Sequence, residues 1–257
     1  MTCGDEPLHY ETTARFTFPV DLMPTRIVAA NLYVPPTVES AADVAGKSGC
    51  DADWIIQQTG VERRHVASAD CDPAVMAAEA ARSLMVDSAV KPDWLIHAAA
   101  TRRQSIPDTS VFVQRELGLR GVPSISVQAT CLSFLVALQM ADGLMAAGRA
   151  KQVLITSAEL PCRVRNFTEP ESSALLGDGA AAVLLEWSGE ASAVEYFAME
   201  TWSEGAEYAE IRGGGHRCLP GAPETKPDDN LFHMDGDRLL RYGLPRMKRF
   251  VLIWRKT

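Results

Sequence analysis

Between residues 94 and 158 short β-branched apolar runs alternate with longer apolar stretches of helical length, and this alternation admits few architectures. Residues 94–99, 124–127 and 152–158 read as strands. Residues 109–117 and 132–147 read as helices, stopped by Gly118 and Gly148. Strand and helix in this order imply βαβ units and a mostly parallel sheet covered on both faces. The stretch from Leu132 to Ala147 is apolar on nearly every side, which predicts a fully buried helix.

The flanking sequence extends the pattern. Residues 26–33 read as a strand stopped by Pro35 and Pro36, and 53–58 as a short helix ending at Thr59-Gly60. Residues 73–90 read as a helix, with Asp72 placed to cap it and Pro73 suited to its first position. Gly177-Asp178-Gly179 lacks the Lys and the spacing of a phosphate loop. It reads as a tight turn, whose glycines permit positive φ, into a strand at 180–186. A further strand is expected at 193–199, a long Gly/Pro-rich loop at 203–230 and a helix from about Asp235. Residues 1–24 show no clear period and read as an extension.

Cys131 falls between the 124–127 strand and the helix that follows. A thiol on a strand-to-helix turn faces the positive end of the helix dipole, which favours the nucleophilic thiolate. Read alone, the same residue is a small buried hydrophobe. The other cysteines, at 3, 50, 71, 162 and 218, show no CxxC spacing and no zinc-finger pairing with His, so no metal site is expected. Their scatter fits a reducing cytoplasm. A net charge of -8 argues against a nucleic-acid binder, and no apolar run is long enough to span a membrane. The broken apolar pattern near the N-terminus does not fit a signal peptide.

Four segments carry a resemblance. They are Asp53-Trp54-Ile55 followed by Thr59-Gly60-Val61-Glu62-Arg63-Arg64-His65; Val127 to Phe134 around Cys131; Leu176-Gly177-Asp178-Gly179-Ala180; and Met234-Asp235-Gly236. In this order the chain resembles β-ketoacyl-acyl-carrier-protein synthase III of the thiolase superfamily, over about residues 25 to 250. The resemblance implies an α/β, thiolase-like fold of two stacked βαβ-rich halves around buried helices. Residues 25–200 would form the half carrying the nucleophile, and 201–257 a loop and the start of an incomplete second half.

The resemblance also assigns roles. Cys131 would accept the acyl group, and Trp54 would stack on the adenine of coenzyme A. Arg163 would lie at the nucleotide site, and Arg241 would help dock an acidic carrier protein. Leu132 follows the nucleophile, where the family usually has a small residue. Ile106 stands where a Phe from the partner subunit often lines the acyl pocket. Gln58 replaces the Arg that sandwiches the adenine in many members, which favours an acyl-carrier-protein donor over coenzyme A. Acyl-coenzyme A or acyl-carrier protein would be substrate, with no permanently bound cofactor, and the complete protein would be a homodimer. The family's His and Asn, which promote decarboxylation and condensation, belong to motifs beyond residue 236, and none of His9, His65, His97, His216 and His233 sits in the His motif. The expected activity is therefore acyl transfer through Cys131 in fatty-acid or polyketide synthesis. The alternatives are a non-condensing transferase to a hydroxyl or amine, and a truncated inactive homologue acting as a partner subunit.

Overall fold

The computed structural model describes residues 25–88, 91–188 and 197–254. In chain order the elements are β1 (Thr25–Tyr33), β2 (Thr37–Ser40), α1 (Ala41–Ser48), α2 (Ala52–Thr59), β3 (Arg63–Val66), α3 (Pro73–Ser88) and β4 (Trp94–Ala98). They continue with α4 (Thr109–Glu116), β5 (Ser124–Val127), α5 (Ser133–Ala146), β6 (Gln152–Glu159), α6 (Pro170–Ser173) and β7 (Gly179–Trp187). The last are β8 (Ala209–Glu210), β9 (His233–Met234) and α7 (Gly236–Trp254).

Five strands form one sheet in the order β1-β7-β6-β4-β5. β4 pairs in parallel with β5 and β6, as the alternation predicts. β7 is antiparallel to both β6 and β1, so the sheet is mixed, with β7 the one reversed strand. The reason lies in the connection from β6 to β7. It carries only a short helical turn and α6, and returns the chain to the adjacent slot as antiparallel pairing allows.

Alternation along the strands sorts side chains to two faces. Leu95, Leu154, Ala180 and Ala182 face α3 and α4. α3 meets them with Ala74, Ala77, Ala80 and Ala81, small residues that let helix and sheet approach closely. Ile96, Val153, Ile155 and Leu185 face α5, which contributes Ala137, Ala141 and Met145. The sheet covers one side of α5 only. Leu132, Leu135 and Met140 are exposed, which corrects the expectation of a fully buried helix. Leu32 of β1, paired with Ala181 of β7 on the same face of the sheet, is also exposed. β5 lies at the sheet edge, and Ile125 is exposed there.

β2 and β3 pair antiparallel outside the main sheet, between α1–α2 and the body, an arrangement that the sequence reading missed. α1 is capped by Ser40, whose hydroxyl accepts from Asp43 N, and α2 by Asp51. Both stop at glycines with φ of 70°, Gly49 and Gly60. Glu39 of β2 is buried against Arg165 at 2.5 Å, with Lys47 as a second partner. Burial alone would raise its pKa, but the hydrogen bonds from Arg165 and Lys47 outweigh that and hold the carboxyl below its ordinary value.

Phe197 to Met199, the described part of the strand expected at 193–199, is not a strand; the rest of that stretch and the extension at 1–24 lie outside the described residues. The long loop at 203–230 is present, closed at its ends by pairing of β8 with β9. A Cβ on Gly213 would lie 3.0 Å from Asp229 O, so the loop packs closely there. α7 begins at Gly236, close to the expected start.

Candidate active site

Cys131 lies between the end of β5 at Val127 and the start of α5 at Ser133, and its side chain is exposed. The preceding residue, Thr130, has φ of 49°, a left-handed conformation that β-branched residues avoid. Ser133 holds this turn. Its hydroxyl donates to Thr130 O at 2.6 Å and accepts from Ala129 N at 2.9 Å. The backbone closes it further, Leu132 N donating to Ala129 O and Ser133 N to Thr130 O. Those two N–H groups are therefore spent within the turn.

An apolar groove of about 470 Å³ opens beside this turn. Leu132 with Leu135 and Val136 of α5 form one wall, and Phe197, Met199 and Trp202 with Met247 and Phe250 of α7 complete it. α7 is held there by Arg246, which lies over the rings of Tyr242 and Trp202, and by Tyr242, whose hydroxyl donates to Glu204.

The other assigned residues are dispersed. Trp54 is half-buried on α2 against a small cluster of Ile55, Val44 and Phe167. Gln58 is exposed one turn further along the same helix. Arg163 donates to the carbonyls of Ser68 and Cys71, fastening the loop before α3. Ile106 is 84% exposed on the loop between β4 and α4, away from the groove that Leu132 lines. Arg241 projects from α7, 81% exposed, with Asp237 as a loose ion-pair partner at 3.5 Å. No group of three His, Cys, Asp or Glu among the described residues is arranged to hold a metal ion. No helix among them is long and apolar enough to cross a membrane.

The remaining polar groups sort by environment. Burial pushes the Cys162 thiol up to about 12, with the Arg165 charge opposing and Asp178 reinforcing the shift. Burial also raises the Cys71 thiol. His65 Nδ1 lies 2.6 Å from Pro35 O, and His233 is bracketed by Glu169 Oε1 and Asp228 O.

The Gly177-Asp178-Gly179 segment has a different job from the expected one. Neither glycine has positive φ. A Cβ on Gly177 would lie 3.2 Å from Arg64 Cβ, so close packing selects glycine there. Asp178 between them is buried, and its carboxylate accepts from Ala67 N and Cys162 N. It ties the end of β3, the segment at Cys162 and the start of β7 together. Sequence reasoning missed both Ser133 and Glu159. The latter accepts from Ala100 N, Thr101 N and the Thr101 hydroxyl, and anchors the loop that carries Ile106.

Residues 125–205 match the family model for 3-oxoacyl-[acyl-carrier-protein] synthase III. The chain is 34% identical over 165 residues to the β-ketoacyl-[acyl-carrier-protein] synthase III of Methylococcus capsulatus, covering 63% of this chain and 51% of that protein. It is 30% identical over 215 residues to the enzyme of the same name from Erythrobacter litoralis, covering 82% of this chain and 65% of that one. The chain thus spans between about half and two thirds of the length of these curated relatives. Its fold superposes on a crystal structure of 3-oxoacyl-(acyl-carrier-protein) synthase III with a TM-score of 0.80 at 23% identity, covering 91% of this chain and 75% of that one. The synthase III structure from Thermus thermophilus gives 0.72 at 26% identity, covering 84% and 67%. The matched segment runs through Cys131, and over the part of their length that it covers the chain is similar to the 3-oxoacyl-(acyl-carrier-protein) synthase III proteins and shares their thiolase-like fold.

Proposed function

We propose that the chain is an acyltransferase of the synthase III type that takes an acyl group onto Cys131 in fatty-acid or polyketide synthesis. The observation that carries this reading is the exposed Cys131 thiol on a turn held by Ser133, next in sequence to Leu132, which lines an apolar groove. The thiolate attacks the carbonyl of an acyl thioester. A new C–S bond forms at Cys131, the bond to the carrier breaks, and the carrier leaves as a thiolate that takes up a proton from water. The groove gives the acyl chain a place out of water, with Leu132 against its first carbons.

The donor in this reading is an acyl-carrier protein or acyl-coenzyme A, taken as substrate and not as a resident cofactor. α7 supports an acidic carrier. Arg238, Arg241, Lys248 and Arg249 make it locally basic on a chain of net charge -8. Trp54 and Arg163 would serve the nucleotide, Ile106 would reach toward a second copy in a homodimer, and the setting would be the cytoplasm. The histidine positions favour plain acyl transfer over condensation in this polypeptide, because His65, His97 and His233 are each engaged or buried away from the turn. The test is incubation with a short acyl-coenzyme A or acyl-carrier protein, followed by peptide mass mapping. Acyl mass on the Cys131 peptide supports the reading; equal labelling of Cys131→Ala protein overturns it.

A further inference from the structure

The parallel strands β4, β5 and β6 end together, at Ala98, Val127 and Glu159. Sites in open α/β sheets form beyond such carboxyl ends. The register of β4 on β6 pairs His97 with Thr156, which brings Ala100, three residues on, opposite Glu159, also three on. One oxygen of the Glu159 carboxylate accepts from Ala100 N at 2.6 Å. The other accepts from Thr101 N at 3.0 Å and from the Thr101 hydroxyl at 2.7 Å. That hydroxyl in turn accepts from Leu160 N, next to Glu159 in the chain. All three groups that Glu159 meets here are donors, which suits an ionised carboxylate, an acceptor at both oxygens.

Ala100 is engaged from both sides. Its N–H goes to Glu159, and its carbonyl accepts from Gln128 Nε2 at 3.2 Å. Arg102 donates to Gln128 Oε1, so both ends of the Gln128 amide are fixed to the loop that Glu159 holds. Gln128 is the first residue after β5, and Cys131 lies three residues further on. Between them stands Thr130 at φ of 49°, a conformation that persists only where surrounding contacts fix it. Ser133 fixes this turn from the helix side. Gln128 fixes it from the strand side, and a chain of hydrogen bonds leads from Gln128 across the loop after β4 to Glu159 at the end of β6.

We propose that Glu159 is a positioning residue for the turn that presents Cys131, acting through Ala100 and Gln128. Its bearing on catalysis rests on Cys131 being the acyl acceptor. The experiment compares the full chain with Glu159→Gln, which sets an amide donor against the N–H groups, with Gln128→Ala, and with the double variant. Hydrogen exchange of the 128–133 amides, followed by mass spectrometry, should speed up about tenfold in each single variant. This readout is independent of acyl transfer, which separates the proposal from the catalytic one. With a short acyl-coenzyme A as donor, the maximal rate of loading should fall about tenfold, while the half-saturating donor concentration stays unchanged. The double variant should be no slower than the slower single one, because both break the same path. Glu39→Gln, which breaks the buried ion pair with Arg165, should lower stability and leave the loading rate unchanged. Gln128 is exposed, so Gln128→Ala leaves the core intact, and unchanged exchange in that variant would overturn the proposal. So would multiplying effects in the double variant, or equal slowing of loading by Glu39→Gln.

Discussion

The Ser133 hydroxyl donates to Thr130 O at 2.6 Å, across the turn that presents Cys131, while its own oxygen accepts from Ala129 N. This one side chain supports a non-glycine residue at positive φ directly before the thiol. Ser133→Ala would take away the acceptor of Ala129 N and one of the two donors to Thr130 O, at a cost of about 0.5–1.5 kcal/mol. We expect a lower urea midpoint together with slower acyl loading of Cys131. Ser133→Thr, which keeps the hydroxyl, should recover part of both.

Cysteine reactivity should follow exposure. Cys131 is exposed, whereas burial pushes Cys162 up to about 12 and raises Cys71. Iodoacetamide at about pH 8 should modify Cys131 rapidly and leave Cys162 protected until the chain unfolds. Mass mapping over time checks this. The fast phase should vanish in Cys131→Ala.

Trp54 and Gln58 are four residues apart on α2 and so share a face. An Arg at 58 would place a guanidinium near the indole. If Trp54 receives an adenine, Gln58→Arg should tighten coenzyme A binding by about 0.5–1 kcal/mol, or two- to fivefold, in calorimetric titration. The parent chain should load faster from acyl-carrier protein than from coenzyme A carrying the same acyl group.

Two histidines give pH dependences of opposite sign. The Asp228 carbonyl raises the His233 pKa, burial opposes, and the Glu169 carboxylate adds to the rise. Its contribution is complete below about pH 6.5, the unfolded value, and is lost as pH climbs through the folded value. His97, pushed down to about 4 by burial, resists a proton that the unfolded chain accepts. Stability should therefore fall between about pH 6.5 and pH 4, by up to about 3 kcal/mol. Denaturant midpoints across this range should show His97→Phe flattening the acid limb and His233→Gln flattening the alkaline one.

Supplied with acyl donor and malonyl-acyl-carrier protein, the 257-residue chain should load Cys131 without releasing carbon dioxide. The described histidines near the sheet are engaged or buried, and oxyanion donors of the kind such a step needs contribute ~10²–10³ each. Radiolabelled carbon dioxide release dependent on Cys131 would contradict this.

The sheet strands and α3 were readable because each is a regular apolar run bounded by Pro or Gly. β2 and β3 were not. They are four residues long, and their sequences hold Glu39, Arg64 and His65; two are buried charges whose partners come from distant parts of the chain, Arg165 for Glu39 and the Ser173 carbonyl for Arg64. α5 read as buried because periodicity cannot say which side of an all-apolar helix the sheet will cover. Cys131 was legible by residue type and position. Ser133 was not, since a serine inside an apolar helix start looks like any other small residue until its two backbone partners are placed. Gly177 was misjudged because close approach and positive φ both select glycine, and sequence alone does not separate them.

The place of β1 in the sheet has a consequence for synthesis. Its pairing partner in the sheet is β7, so Thr25 meets Trp187. A ribosome adding about 5–20 residues per second needs roughly ten to thirty seconds to travel from one to the other. For that interval the first strand of the sheet has emerged with its neighbour still unmade, while β4, β5 and β6 already have each other. The nascent chain can close its sheet only when the last of the five strands arrives.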